Sequence, residues 1–165
     1  MKTEETLSKL QQALPDVTFQ LEQGETGSAW ILVPAESIVP SLESIHKEQG
    51  MTYLRCLSGV DYGEEFGVSY VVCSVERKVE CHLKVRVPRE NPEVPSVHHV
   101  YGAANWFERE IFDLYGIDFP GHPDLRRIMM PEDWEGYPLR KDYKEAKEYN
   151  GIPTERPSAL DLLDP

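Results

Sequence analysis

The distribution of proline and glycine most constrains how this chain can fold. Between Gly116 and Pro165 the sequence holds seven prolines and four glycines, which interrupt helices and strands. Regular structure can therefore persist only in the part of the chain ahead of this segment. We predict an α+β domain over residues 1–120, followed by an extended Pro/Gly-rich C-terminal arm over residues 121–165.

The composition suits one packed domain. The chain has 165 residues, 40% of them hydrophobic, which leaves some length to spare beyond a single core. Its net charge of −12 repels nucleic acid and anionic lipid headgroups, so we expect neither as a direct partner. No segment approaches the roughly 20 apolar residues of a membrane-spanning helix, and the N-terminus is too acidic for a signal or transit peptide. We expect a cytoplasmic chain that reaches a membrane, if at all, through a partner.

The periodicity of apolar residues predicts helices packed on one sheet. The segment Phe66–Val75 is apolar on both faces, which predicts a central strand, and Val79–Val87 alternates strictly, which predicts one solvated face. The order of elements predicts an α+β fold with a mixed or antiparallel sheet. The predicted elements are a helix over Thr3–Leu14, strands over Val17–Leu21 and Ala29–Val33, a helix between Glu36 and Gln49, strands over Met51–Val60, Phe66–Val75 and Val79–Val87, and a helix from Tyr101 or Ala103 to Tyr115.

The side chains that usually hold cofactors form no recognisable set in this sequence. The cysteines Cys56, Cys73 and Cys81 include no CxxC pair, and an iron–sulfur cluster usually needs about four thiolates. The five histidines include no converging set of metal ligands, and no glycine-rich phosphate loop is present. We therefore expect no bound metal, flavin or nucleotide, and no catalytic residue of the chain's own. His122 is predicted to be a hydrogen-bonded loop residue that fixes its turn.

The helix WFEREIFDLY has an unusually wide apolar arc. Glu108 and Glu110 fall inside this arc, and a buried carboxylate is costly unless it is paired. Arg109 and Asp113 should form a weak i,i+4 pair on the remaining polar edge. A role facing a partner protein and catalysis by the glutamate pair are alternatives to a structural role. The structural interpretation predicts a charge network that joins Glu108 or Glu110 to at least one of Arg126, Arg127 and Arg140.

The C-terminal arm carries more apolar material than it can bury against itself. We predict that the segment from Met129 to Pro153 lacks regular structure, is mobile in the free chain and becomes ordered across a partner protein. Aromatic residues and arginines are typical interface anchors, and the predicted anchors are Trp134 and Arg140. The alternative is a disordered tail, which suits the last dozen residues best.

The segment from Ala103 to Tyr143 closely resembles the signature of the thirty-kilodalton subunit family of respiratory complex I, also called the C subunit of NADH-quinone oxidoreductase. The resemblance rests on an ERE triplet, an acidic–apolar pair, a Gly-His-Pro turn, LRR with a following apolar residue, and a closing EGYPLRKDY. The earlier part of the chain fits more loosely, through the element order and VPAES. The signature residues are Glu108, Arg109, Glu110, Asp113, Leu114, Gly121, His122, Pro123, Leu125, Arg126, Arg127 and Ile128.

The resemblance implies a non-catalytic scaffold without a cofactor, held peripherally on the cytoplasmic side of the membrane by its complex. It implies packing against a quinone-site (D-type) subunit and a terminal-cluster (B-type) subunit, in support of electron transfer from NADH to quinone. The signature does not separate this complex from photosynthetic NDH-type complexes, F420H2 dehydrogenases or membrane-bound hydrogenases. A stand-alone binding module and a small hydrolase using Glu108, Glu110 and His122 are the other hypotheses. The motif disfavours the stand-alone binding module, and the long arm disfavours the hydrolase.

Overall fold

The computed structural model describes residues 3–24 and 28–154. The predicted elements are present with ends displaced by a few residues, and the first strand begins only at Gln20 rather than at Val17. The helices are α1 (Thr3–Ala13), α2 (Ile38–Glu48), which follows a short 3-10 turn (Ala35–Ser37), and α3 (Ala104–Tyr115). The strands are β1 (Gln20–Gln23), β2 (Ala29–Leu32), β3 (Tyr53–Asp61), β4 (Glu65–Ser74), β5 (Val79–Pro88), β6 (Glu148–Tyr149) and β7 (Ile152–Pro153).

Five of these strands form one mixed sheet in the order β1-β2-β5-β4-β3. Strands β2 and β5 are parallel, and the other neighbours are antiparallel. This arrangement confirms the predicted α+β class. Strand β4 is interior, as its two apolar faces require, but β5 rather than β4 occupies the centre of the sheet.

One face of the sheet carries the core. Val68, Tyr70 and Val72 of β4 pair across the sheet with alternate residues of β5, and they are fully buried. They form one hydrophobic cluster with residues of all three helices, among them Leu10 and Leu42. The opposite face of β5 carries charged side chains, which confirms the solvated face predicted from its strict alternation.

Glycines set the position and the end of helix α3. A Cβ atom on Gly59 of β3 would lie 2.7 Å from the ring of Tyr115 and 3.2 Å from Ile111, so the helix can lie this close only to a glycine. Gly116 ends the helix, as predicted, in a left-handed conformation with φ of 68°. Beyond it the chain turns back across the helix, which places the arm beside the signature residues.

Candidate functional site

Asp113 is the main attachment point of the returning arm. Its carboxylate is fully buried, and its Oδ2 atom accepts backbone N–H bonds from Ile128, Met129 and Met130 at 2.9, 2.6 and 3.0 Å. The guanidinium of Arg127 adds a bond to Oδ1 at 3.2 Å. One carboxylate therefore fixes four consecutive residues of the arm through charge-assisted hydrogen bonds. The predicted surface pair of Arg109 with Asp113 is wrong, because both residues are buried and Asp113 pairs with Arg127.

Arg140 holds the next part of the arm on the C-terminal end of α3. Its Nε atom donates to the carbonyl of Tyr115 at 2.6 Å, and its Nη2 atom donates to that of Gly116 at 3.4 Å. The guanidinium lies between the rings of Phe66 and Tyr137, at 4.9 and 4.4 Å from their centroids. A cation here satisfies carbonyls that have no partner within the helix. The hydrogen bonds of Arg140 that the structure shows are thus made within the chain, and its role as an anchor for a partner protein stays a prediction.

Asp61, at the end of β3, binds the arm a second time. It accepts hydrogen bonds from the backbone N–H groups of Gly63 and Lys141 at 2.7 and 2.8 Å, and from the Arg89 guanidinium at 2.9 Å. Burial alone would raise the pKa of Asp61, but the bonds from Lys141, Gly63 and Arg89 lower it overall. Arg89 also pairs with Asp142 of the arm. Sequence reasoning missed this group, since no local spacing links positions 61, 89 and 141.

Through Asp142 the arm is therefore bonded to the α+β domain of its own chain. Its mobility in the free chain stays a prediction. Beyond Asp142, the arm chiefly contacts itself: the Tyr149 hydroxyl donates to Asp133 at 2.7 Å, and the Tyr149 ring lies 5.1 Å from that of Trp134. Strands β6 and β7 form a hairpin of two residues per strand, so the arm is mostly but not wholly irregular.

Glu108 is buried, but its partners are not arginines. Its Oε2 atom accepts a bond from the Ser96 hydroxyl at 2.5 Å, and its Oε1 atom accepts one from the N–H of Val97 at 2.8 Å. Glu110 is exposed and has no ion pair among residues 3–24 and 28–154. The predicted glutamate–arginine network is therefore wrong. The arginines bind Asp113, Asp124 and backbone carbonyls instead.

His122 is a hydrogen-bonded loop residue, as predicted. Its Nδ1 atom accepts a bond from the N–H of Asp124 at 3.0 Å, so the proton lies on Nε2, which donates to the carbonyl of Asn105 at 3.1 Å. The side chain joins the Gly121–Pro123 turn to the first turn of α3. Its Nε2 atom is 3.9 Å from Glu108, and both side chains are fully buried, while Glu110 points to solvent. These three residues form no accessible catalytic site.

The protonation of Glu108 gives a testable pH dependence. Burial raises the pKa of this carboxyl to about 7 from an ordinary value of 4.5, against the opposing hydrogen bonds from Ser96 and Val97. A raised folded-state pKa contributes stability that is complete below about 4.5 and is lost as the pH rises through about 7. Glu108→Gln should remove this loss, which we expect to be at most roughly 3 kcal/mol, at about 1.4 kcal/mol per pKa unit.

The measurement is chemical unfolding of wild type and Glu108→Gln between pH 4.5 and 8. Carboxyls with lowered pKa, such as Asp61, act equally on both proteins and cancel in the difference. Glu110→Gln, at an exposed position on the same helix, should track wild type at every pH. Parallel stability curves for wild type and Glu108→Gln would contradict this assignment.

The described residues contain no cluster of three or more histidine, cysteine or carboxylate side chains placed to hold a metal ion. The three cysteines are free thiols in different environments, exposed at Cys56, intermediate at Cys73 and buried at Cys81. In the part of the chain that the structure describes, no helix is long and apolar enough to cross a bilayer.

The fold and these contacts define a class of protein: an α+β domain whose signature helix serves to hold a returning C-terminal arm. The chain belongs to the family described as respiratory-chain NADH dehydrogenase, 30 Kd subunit, whose family model matches residues 31–149. This confirms the family that the signature resembles.

Individual relatives agree with this assignment. The C subunit of the NADH-quinone oxidoreductase of Chlorobium phaeobacteroides is 49% identical over 111 residues, which cover 65% of this chain and 66% of the relative. The corresponding C subunit of Moorella thermoacetica is 39% identical over 140 residues, covering 84% and 93% of the two chains. The solved structure of a trypsin-resistant fragment of Nqo5 is similar with a TM-score of 0.60 and 31% identity, and the match covers 76% of this chain and all of that fragment. The chain thus spans just under two thirds of the Chlorobium relative.

Proposed function

We propose that this chain is a non-catalytic structural subunit of the hydrophilic arm of an NADH-quinone oxidoreductase. In this proposal it packs against the quinone-site and terminal-cluster subunits, on the cytoplasmic side of the membrane, and supports electron transfer from NADH to quinone without a cofactor of its own. The observation that carries the proposal is that signature residues hold the arm and helix α3 together through hydrogen bonds to backbone groups. Asp113 and Arg127 bind backbone groups of the arm, and His122 and Arg140 of the arm bind backbone carbonyls of helix α3.

The attached arm leaves apolar side chains on the outside. Trp106, Met129 and Leu139 are 63%, 61% and 50% exposed. Large exposed apolar side chains beside a rigid backbone are typical of protein–protein interfaces. We propose that the α+β domain over residues 1–120 is the support, that the arm over residues 121–165 extends onto the neighbouring subunits, and that Trp134 is one of its anchors.

The test is purification of the tagged full-length chain from native membranes in a gentle detergent. We expect cluster-bearing subunits and a quinone-site subunit to co-purify in equal amounts, with electron paramagnetic resonance signals of iron–sulfur clusters. The accompanying electron-input subunits would distinguish an NADH complex from an F420H2 dehydrogenase, a photosynthetic NDH-type complex or a membrane-bound hydrogenase. A chain that elutes alone, or with proteins that carry no redox centre, would reject the proposal in favour of a stand-alone binding module.

A further inference from the structure

Helix α3 has an uncovered face next to the attached arm. Trp106, Arg109 and Asp113 lie three and four residues apart, so they share one side of the helix. The arm covers this side at Asp113, through residues 128–130. Trp106, two turns earlier, is 63% exposed. Trp106 is thus a large apolar side chain left exposed on the face of α3 that the arm covers at Asp113.

Arg109 lies beneath this indole and lacks a carboxylate partner. The residue is only 4% exposed, and its guanidinium carbon is 4.9 Å from the centroid of the Trp106 ring. Its Nε atom donates to the carbonyl of Arg126 at 3.3 Å. Among residues 3–24 and 28–154, no carboxylate oxygen lies within 4.0 Å of its nitrogens. The hydrogen bond of Arg109 within these described residues uses its Nε atom, and its terminal Nη groups are not among the fully enclosed polar atoms that lack a partner, so solvent still reaches them.

Most other arginines of the described chain have a carboxylate or carbonyl partner for their terminal nitrogens. Arg140 also lacks a carboxylate, but it donates to two helix carbonyls. Five further arginines each pair with a carboxylate, even though most of them are more exposed than Arg109; they are Arg55, Arg86, Arg89, Arg126 and Arg127. Arg77 also lacks a carboxylate, but it is exposed to solvent, so within the described residues Arg109 is distinctive as a buried arginine without one.

We propose that Trp106 and Arg109 form a docking site for a neighbouring protein subunit that presents a carboxylate side chain to Arg109 and an apolar side chain to the indole. A guanidinium stacked on an aromatic ring keeps its edge N–H groups free, and these match the two oxygens of a carboxylate. Closing the site removes both groups from water, which strengthens the pair. Tryptophan and arginine are also the residues that most often dominate interface energies.

The occupant is a protein rather than a nucleic acid. A phosphate would also suit the guanidinium, but the exposed Glu110 lies one turn from Trp106 on this side of the helix and would repel a polyanion. A single carboxylate with a basic neighbour would satisfy both Arg109 and Glu110. The identity of the partner as a component of a redox complex rests on the proposed function above.

The experiment uses the intact assembly and the free full-length chain. Hydroxyl-radical footprinting of the wild type should show Trp106 oxidised readily in the free chain and several-fold more slowly in the assembly. In parallel, Arg109→Lys replaces the guanidinium by an amine that a zero-length carbodiimide can join to a contacting carboxylate. We expect a cross-linked peptide that contains an acidic residue of another subunit. Arg126→Lys is the matched control, since Arg126 already pairs with Asp124 of its own chain and any coupling should stay within the chain.

The outcomes separate this inference from the proposed function. Equal oxidation of Trp106 in the assembly and in the free chain would overturn the docking site, although the chain would still belong to the complex. Protection of Trp106 with a cross-link to the chain itself would overturn the carboxylate partner. A chain that never co-purifies with other subunits would overturn the proposed function, and the docking site with it. The footprinting needs no substitution, so it decides whether a neighbouring subunit covers Trp106 even if Arg109→Lys folds poorly.

Discussion

Asp113→Ala is expected to lower the free energy of unfolding by about 3 kcal/mol, the lower end of the cost of breaking a buried ion pair from one side. The substitution leaves the Arg127 guanidinium, whose side chain is 17% exposed, without its carboxylate. It also removes the acceptor of the N–H groups of residues 128–130. We place the effect at the lower end because part of this backbone can reach water once it is released.

The measurement combines urea unfolding with limited trypsin digestion. In Asp113→Ala the bonds after Arg126, Arg127 and Arg140 should be cut faster than in wild type, because the arm loses its attachment. Glu110→Ala, on an exposed position of the same helix, should stay within about 0.5 kcal/mol of wild type. Asp113→Asn keeps one carbonyl oxygen as an acceptor and should fall between the two. Wild-type stability and digestion in Asp113→Ala would show that the arm does not depend on this carboxylate.

Ending the chain at Ile128 is expected to prevent assembly of the proposed complex and to reduce its quinone reduction to background. The truncated chain lacks the Arg140 bonds to the end of α3, the Lys141 bond to Asp61 and the partner of Arg89 in the arm. It should still form its sheet and core, because the buried cluster lies almost entirely before Gly121. The effect is therefore expected on assembly more than on folding.

A chain ending at Thr154 is the matched control, since it keeps every described contact of the arm. The two truncations should be compared with full length for incorporation into native membranes and for quinone reduction driven by the natural electron donor. Circular dichroism of the purified chains would show whether the shorter one is folded. Assembly and activity equal to full length in the Ile128 truncation would show that the arm is dispensable.

The sequence by itself determined the parts of the fold that rest on local rules. The strict alternation of β5 required one buried and one solvated face, and the structure has both. Gly116 ends α3 because only glycine readily adopts its positive φ of 68°. Pro40 lies in the first turn of α2, where a missing N–H costs nothing. Proline and glycine after residue 116 likewise kept the arm from forming long elements.

The tertiary structure alone decided which charged groups meet. Helical periodicity placed Glu108 and Glu110 within one broad arc, but it could not show that the loop at Ser96 covers one of them while the other faces solvent. The sequence placed Asp113 on the polar edge of its helix, and the residue is buried because the arm packs over it. Asp61 and Lys141 are 80 positions apart, so their contact exists only because the chain closes that loop. Periodicity gives the direction of a side chain on its own element, whereas its partner depends on the packing of elements distant in sequence.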